Sequence, residues 1–226
     1  MKIERPKSLK ELVVEQLRAR IIDGRFRLGA ALSENVLAAE LGMSKTPVRE
    51  ALQQLRSEGL VDVLPQRGTY VFRLAADQVE LISELRTILE VASVAAAVER
   101  NFDTLVEAME NLMGAMQAAY DDGDTVLYHT LDGDYHDAFI ELCGNPYVGD
   151  AYSQIRFRIR ALRSRLSNEA ALNSRSLKDH KRMLELVKAR DVPGVQQLLA
   201  SHIEQTKSSY LAVLADRDLL TEEMAS

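Results

Sequence analysis

The sequence predicts a mainly α protein in two parts: an N-terminal winged helix-turn-helix with a small β-hairpin wing, then an all-α antiparallel helical bundle. Three observations predict it. Apolar residues recur at helical spacing through most of the chain. Two short runs, LVDVLP and TYVFR, have strand character and flank a turn at Gln66-Arg67-Gly68. From residue 77 onward only helical periodicity remains. The 226 residues are 46% hydrophobic, with 11 Gly and 5 Pro, which suits one or two packed cores and excludes low-complexity disorder. A single cysteine, Cys143, excludes an internal disulfide framework and argues against a Cys-rich zinc module. The opening MKIERPKSLKEL lacks an apolar signal region. No run approaches the roughly 18 apolar residues that span a bilayer. A cytoplasmic location with no membrane partner is expected.

Taken in order, Leu12, Val13, Leu17, Ile21 and Ile22 mark a first helix that ends at Gly24. Ser33 caps a short helix through Leu41, buried by Val36, Leu37 and Leu41. Gly42 turns the chain, and Ser44 caps a second helix with Pro47 in its first turn, where a missing N–H is harmless. Val48, Ala51, Leu52 and Leu55 are its apolar face, and Gly59 ends it before the hairpin. Asp77 and Glu80 form a candidate capping box for a helix to about Arg100. Further helices are expected over 103–120, 124–142, 146–168, 175–190 and 192–214. The breaks between them fall at Asp121-Asp122-Gly123, Gly144-Asn145-Pro146, residues 167–174 and Asp191-Val192-Pro193-Gly194. The expected division is 1–73 for the winged unit, 74–77 for a linker and 78–226 for the bundle, which would bind an effector and dimerise.

Charge divides the same way. Residues 1–73 hold 13 Lys and Arg against 9 Asp and Glu, and the remainder 15 against 25. A basic first third joined to an acidic remainder suits a polyanion-binding module carried by another domain.

The stretch LSENVLAAELGMSKTPVREALQQLRSEGLVDVLPQRGTYV, and above all its SKTPVREAL core, resembles the DNA-binding domain of GntR-family bacterial transcription regulators over about residues 10–73. Polar and basic groups at the start of a second helix suit a major groove, where the helix N-terminus also favours phosphate. Arg49 carries paired donors that match guanine O6 and N7. Ser44, Lys45 and Thr46 suit phosphate or base-edge contacts, Asn35 the backbone, and Arg67 with Gly68 the minor groove. Many family members carry arginine at positions 35 and 45, so Asn35 and Lys45 depart from the pattern and bear on the operator sequence. The competing reading pairs Arg49 with Glu50 or Glu58 on a solvated helix face.

Four histidines occur: His129, His136, His180 and His202. Asp132 and His136 share one helix face one turn apart, His180 lies in the first turn of a later helix, and His202 midway along the last. An Asp and three imidazoles from three helices form a plausible metal set. His129 and His136 are seven residues apart, a rise of about 10.5 Å, too far to share one ion. Spacing alone does not decide between them, and scattered histidines also occur simply packed in cores. The DGDYHDAFIELCGNPYV, DHKRMLELVKARD and LLASHIEQT segments resemble the FCD effector domain of the FadR subfamily over about residues 78–214. That resemblance implies one divalent metal per subunit, Zn, Ni or Mn, held by Asp132, His136, His180 and His202. Tyr135 stands where the family usually has Phe, and His129 falls outside the motif. Gly133, between two ligands inside a helix, has no explanation in the sequence.

The resemblance also implies that Arg86 helps bind an acidic effector, against the alternative of an i,i+4 pair with Glu90. On the helix near residue 160, Val148, Tyr152, Ile155, Ile159, Leu162 and Leu166 form a buried stripe. Arg156, Arg160 and Arg163 flank it as a solvated or dimer-contacting face, with Arg160 a second effector candidate. The reading is a ligand-responsive regulator, a homodimer on a pseudo-palindromic duplex operator, controlled by a small organic acid. The alternative, a helical metalloenzyme with an accessory DNA-binding domain, lacks a placed general base, nucleophile or phosphate loop.

Overall fold

The computed structural model describes residues 6–166 and 170–216. Helix α1, Leu9–Ile22, starts at Ser8, whose hydroxyl accepts from the Glu11 amide while the Glu11 carboxylate accepts from the Ser8 amide. Val13, Val14, Leu17 and Ile21 are its buried face. Leu12, expected to join them, is exposed, because it lies about 200° round the helix from Val14.

Strand β1 (Ala31–Leu32), helix α2 (Glu34–Glu40), helix α3 (Lys45–Ser57), strand β2 (Val61–Leu64) and strand β3 (Gly68–Val71) complete the first unit. The sheet is antiparallel in the order β1-β3-β2, with Leu32 opposite Thr69 and Val61 opposite Val71. The expected two-stranded wing is therefore three-stranded. At two residues, β1 is too short to show alternation in sequence. Ser33 caps α2 by accepting from the Val36 amide, but Leu37 and Ala38 are the buried residues and Val36 is exposed. Val48, Ala51, Leu52 and Leu55 bury α3, which packs on α1 and α2. Arg18 clamps the end of α3 through two bonds to Glu58, 2.8 and 2.6 Å. At the wing tip the Arg67 amide donates to the Leu64 carbonyl, with Gln66 at φ 62.

The chain divides between Arg73 and Leu74 into two compact units. The second holds α4 (Ala76–Arg100), α5 (Phe102–Asp121), α6 (Thr125–Leu142), α7 (Pro146–Leu166), α8 (Ala170–Lys188) and α9 (Val192–Asp216). Helix α4 packs on α5, α6, α7 and α9, and α5 packs on α6 and α8. Met109, Met113, Met116, Tyr135, Phe139, Met183, Leu199 and Ile203 lie in the shared core. The Asp77–Glu80 capping box does not form: α4 begins two residues earlier than that box requires, Ala75 is the cap residue, and Asp77 accepts from the adjacent Gln78 amide. Residues 170–174, expected as a break, begin α8. Residues 167–169, the burial of Leu166 and the chain after 216 lie outside the described residues. No described helix is long and apolar enough to cross a membrane.

Leu55 of α3 is fully buried in the core of the first unit. Leu55→Ala should cost about 2–5 kcal/mol in urea unfolding followed by far-UV circular dichroism.

Candidate metal centre and nucleic-acid interface

The exposed side of α3 follows from its apolar stripe. With Val48, Ala51, Leu52 and Leu55 inward, Lys45, Thr46 and Arg49 face solvent, joined by Ser44 and by Asn35 of α2. Arg67 and Gly68 are exposed at the wing tip, where the Tyr70 hydroxyl donates to the Arg67 carbonyl. Ser44 occupies the N-cap position without a side-chain capping bond. Pro47 stands at the third helical position and has no N–H to offer, so the usual partner of a capping hydroxyl is missing. Arg49 is 59% exposed yet held: Nε and Nη2 donate to both oxygens of Glu34 at 2.8–3.1 Å. Neither Glu50 nor Glu58 takes it, since Glu58 is claimed by Arg18. The Arg49 hydrogen bonds lower the Glu34 pKa.

Inside the second unit, His136 of α6, His180 of α8 and His202 of α9 converge, their donor atoms within 4.8 Å of one another and all three residues buried. Ligands of a single ion at about 2.1 Å stand roughly 3–4 Å apart, so a small contraction gathers them. His136 Nε2 and His180 Nε2 already lie 3.1 Å apart. Carboxylates orient the rings from behind. His136 Nδ1 donates to Glu90 Oε2 at 2.8 Å, and His202 Nδ1 to Asp179 Oδ2 at 3.2 Å. That leaves Nε2 of each as the remaining nitrogen, the arrangement in which a carboxylate fixes the tautomer of a metal-binding imidazole. Burial, with Arg86 and Arg163 nearby, holds His136 well below the ordinary imidazole pKa. Burial also takes His180 down to about 3. Both are neutral at pH 7, as ligation requires.

Asp132 lies beside this group. Its Oδ1 is 3.6 Å from His180 Nδ1 and accepts from the Ser176 hydroxyl at 3.1 Å, while Oδ2 pairs with Arg163 Nε. Burial would raise its pKa, but Arg163 and the three imidazoles outweigh that and hold the carboxyl well below the usual range. A deprotonated carboxylate and three imidazoles are a donor set that suits a borderline divalent ion. His129 stands apart from the three, with Nε2 3.3 Å from Asn173 Oδ1.

The two arginines expected at the effector have other partners. Arg86 is buried and donates to Glu90 Oε1 at 2.7 Å, an oxygen that also accepts from the Tyr152 hydroxyl at 2.7 Å. Arg160 donates to Asp134 and Asp137 at 2.6 Å each. Its guanidinium lies across Gly133, where an added Cβ would meet it at 3.1–3.3 Å. This accounts for a glycine in mid-helix. Arg156, Arg160 and Arg163 do not form a solvated face. They meet the carboxylates of α6, namely Glu141, Asp137, Asp134 and Asp132. A cavity of about 40 Å³ opens beside the histidines, lined in part by Asp132, Arg163, Ser176, His202 and Thr206. Neither Arg86 nor Arg160 is in its wall.

Comparison with known proteins agrees with this architecture. The FCD domain matches residues 81–205, and the bacterial regulatory proteins of the gntR family match residues 9–71. The chain belongs to the GntR family. Its pairing of a GntR helix-turn-helix with an FCD domain is the FadR-like architecture. It is similar to the gluconate operon transcriptional repressor of Bacillus subtilis (strain 168), 28% identical over 186 residues, 79% of this chain and 75% of that protein. An uncharacterized HTH-type transcriptional regulator in an unstable DNA locus of Streptomyces ambofaciens is 30% identical over 189 residues, 83% and 79% of the two chains. Among solved structures, E. coli McbR/YncC is 27% identical with a TM-score of 0.79, covering 91% of this chain and 98% of that one. The relatives are named as transcriptional regulators, not enzymes.

Sequence reasoning passed over four side chains in this GntR-family chain. Asp179 directly precedes a candidate ligand, a proximity that carried a signal. Glu90 was weighed only as a partner for Arg86, Arg163 only as part of an arginine face, and Glu34 not at all. Their contacts join different helices, which periodicity does not reveal.

Two outcomes follow. Gly133→Ala should fail to deliver the roughly 1 kcal/mol that alanine adds to a helix interior, because Arg160 is pinned by two carboxylates. In an Arg160→Ala background the same change should stabilise by about that amount, read as a double-mutant cycle in urea unfolding. The second concerns pH. His180 stays unprotonated down to about 3 when folded, whereas unfolded it takes a proton near 6.5. Its contribution is therefore complete above about 6.5 and lost as pH falls toward 3. At pH 5 metal-stripped protein should be less stable by about 2 kcal/mol from His180 alone, a loss absent from His180→Gln.

Proposed function

We propose that this chain is a homodimeric transcriptional repressor that reads a pseudo-palindromic duplex operator. Its operator affinity is set by a small organic acid bound in the C-terminal bundle. The observation that carries this reading is the convergence of three buried histidines from three helices beside a polar cavity. A chain that only needed a core has no use for so many polar groups buried together, which cost stability unless paired. The residues that would hold a divalent ion (Zn, Ni or Mn, one per subunit) are His136, His180, His202 and Asp132. Such an ion supplies positive charge and open positions for an anion in an otherwise acidic domain. Glu90 and Asp179 orient two of the imidazoles, and Arg86 acts through Glu90. The Bacillus relative is named for the gluconate operon, and gluconate is itself a carboxylate.

On DNA, Arg49 reads a guanine edge once it leaves Glu34 or bridges from it, while Ser44, Lys45, Thr46 and Asn35 set register on phosphates. Arg67 and Gly68 enter the minor groove. Doubling the half-site through a homodimer supplies the specificity one winged unit lacks. A cytoplasmic location fits this role.

The test combines operator selection from genomic fragments with elemental analysis. Arg49→Ala should weaken the selected operator by about 1–3 kcal/mol and relax one base position. Lys45→Ala should weaken all sequences alike and flatten the salt dependence. Dialysed protein should carry close to one metal per subunit, lost in His180→Ala and His202→Ala and kept in His129→Ala. Wild-type operator binding by Arg49→Ala, or full metal in both histidine variants, contradicts the reading.

A further inference from the structure

We infer that Glu34 is a specificity-determining residue: it holds one edge of the Arg49 guanidinium, leaves the other edge for a guanine, and keeps Arg49 from serving as a phosphate anchor. This rests on the operator-reading role of Arg49 proposed above and names the residue that positions it.

A guanidinium carries its N–H donors in one plane, one on Nε and a pair on each Nη. Arg49 gives Nε to both Glu34 oxygens at 3.1 Å and Nη2 to Oε2 at 2.8 Å. That side-on pairing occupies the Nε–Nη2 edge. Nη1 makes no bond among the described residues, and the second Nη2 proton points away from Glu34. Together Nη1 and Nη2 form the end-on edge, which matches O6 and N7 of guanine. Arg49 therefore takes a guanine without releasing Glu34. A free arginine is rich in rotamers, and holding it before DNA arrives removes that ordering from the binding step.

Charge works in the same direction. The Arg49 hydrogen bonds, with the nearby charges of Arg49 and Lys45, outweigh partial desolvation and hold the Glu34 carboxyl below its ordinary range. The two side chains together are then neutral. A phosphate is drawn strongly to an uncompensated guanidinium and weakly to a neutral pair. Guanine O6 and N7 are uncharged acceptors and lose less. Glu34 thus weakens the non-specific contact more than the specific one, and that difference is specificity.

The pair has little else to do. Helix α2 is anchored through buried Leu37 and Ala38, and an exposed ion pair adds little to stability. The other described ion pairs of the first unit, Lys7–Glu15, Arg18–Glu58, Arg20–Glu40 and Arg25–Asp23, engage none of the candidate DNA-contacting residues. Among the described ion pairs, Glu34 alone joins a carboxylate to one of them.

The test is selection from a fully randomised duplex library with the full-length protein, followed by fluorescence-anisotropy titration across a range of salt. It is run on wild type, Glu34→Ala, Glu34→Gln, Arg49→Ala and the Glu34→Ala/Arg49→Ala double variant, with melting followed by circular dichroism. The titrated duplexes are the one wild type selects, the same duplex with the guanine pair that Arg49→Ala ceases to prefer changed to A·T, and a scrambled duplex. Glu34→Ala should lower the preference for guanine at that pair about tenfold with melting unchanged. It should also bind the scrambled duplex more tightly and steepen its salt slope by about 0.9, the increment of one phosphate contact. Glu34→Gln should keep part of the preference, since its amide oxygen still accepts one bond, while sharing the steeper slope. In the Arg49→Ala background, Glu34→Ala should change the preference at that pair no further. If Glu34→Ala tightens all three duplexes alike, Glu34 is only a competing charge and the assignment is overturned. A preference lost at a neighbouring pair instead makes Glu34 itself a base reader and overturns it too. In both cases Arg49 still stands as the guanine contact. If Arg49→Ala keeps the wild-type preference at every pair, that reading falls and takes this inference with it.

Discussion

Three imidazoles facing one point inside a helical bundle impose a constraint that organises the second unit. His136, His180 and His202 arrive from α6, α8 and α9 and are buried. Polar rings in an apolar interior destabilise the fold unless each nitrogen has a defined partner. Glu90 on α4 supplies one, Asp179 on α8 another, and Asp132 lies beside the third. Glu90 and Asp132 then need their own balance, which Arg86 with Tyr152 and Arg163 with Ser176 provide. The bundle's polar centre is thus a chain of dependence running through α4, α6, α7, α8 and α9. The methionine-rich core beside it fills space and specifies less.

The same logic, inverted, governs the first unit. There the apolar stripe of α3 is fully used against α1 and α2, and what remains outside is left unspent. Pro47 denies Ser44 a capping partner, so its hydroxyl stays outside the helix's own bonding. Glu34 keeps Arg49 extended without burying it. An exposed pair such as this contributes little to stability, and its consequence is to preset the direction of the guanidinium.

Much of this was legible before any coordinates. Helical periodicity marked all the long helices, because a surface helix must bury one stripe and expose the rest. Turn residues such as Gly42, Gly59 and Gly123, each at positive φ, marked their ends. The histidine motif named the three imidazoles through a family resemblance, where spacing alone left His129 and His136 tied. Other features were not legible, for physical reasons. A two-residue strand has no period, so β1 was invisible. Capping depends on where the first turn begins, so Asp77, two residues past the actual cap, was misread. Ion pairs between helices depend on rotation about each axis, so the arginines of α7 looked solvated although they face α6. Gly133 gained its reason only once Arg160 was seen lying over it.

The central claim is that burial keeps His136 and His180 neutral while carboxylates behind the rings aim the imidazoles at one point. The most direct measurement is NMR of the full-length, metal-stripped protein carrying isotope-labelled histidine, recorded near about pH 6 where a free imidazole is largely protonated. The account predicts neutral His136 and His180, with the His136 and His202 rings protonated at Nδ1. Adding an equimolar amount of Zn²⁺ should then shift the nitrogens of His136, His180 and His202 together while His129 stays in place. Doubly protonated rings at His136 and His180, or a Zn²⁺ response centred on His129, would contradict it.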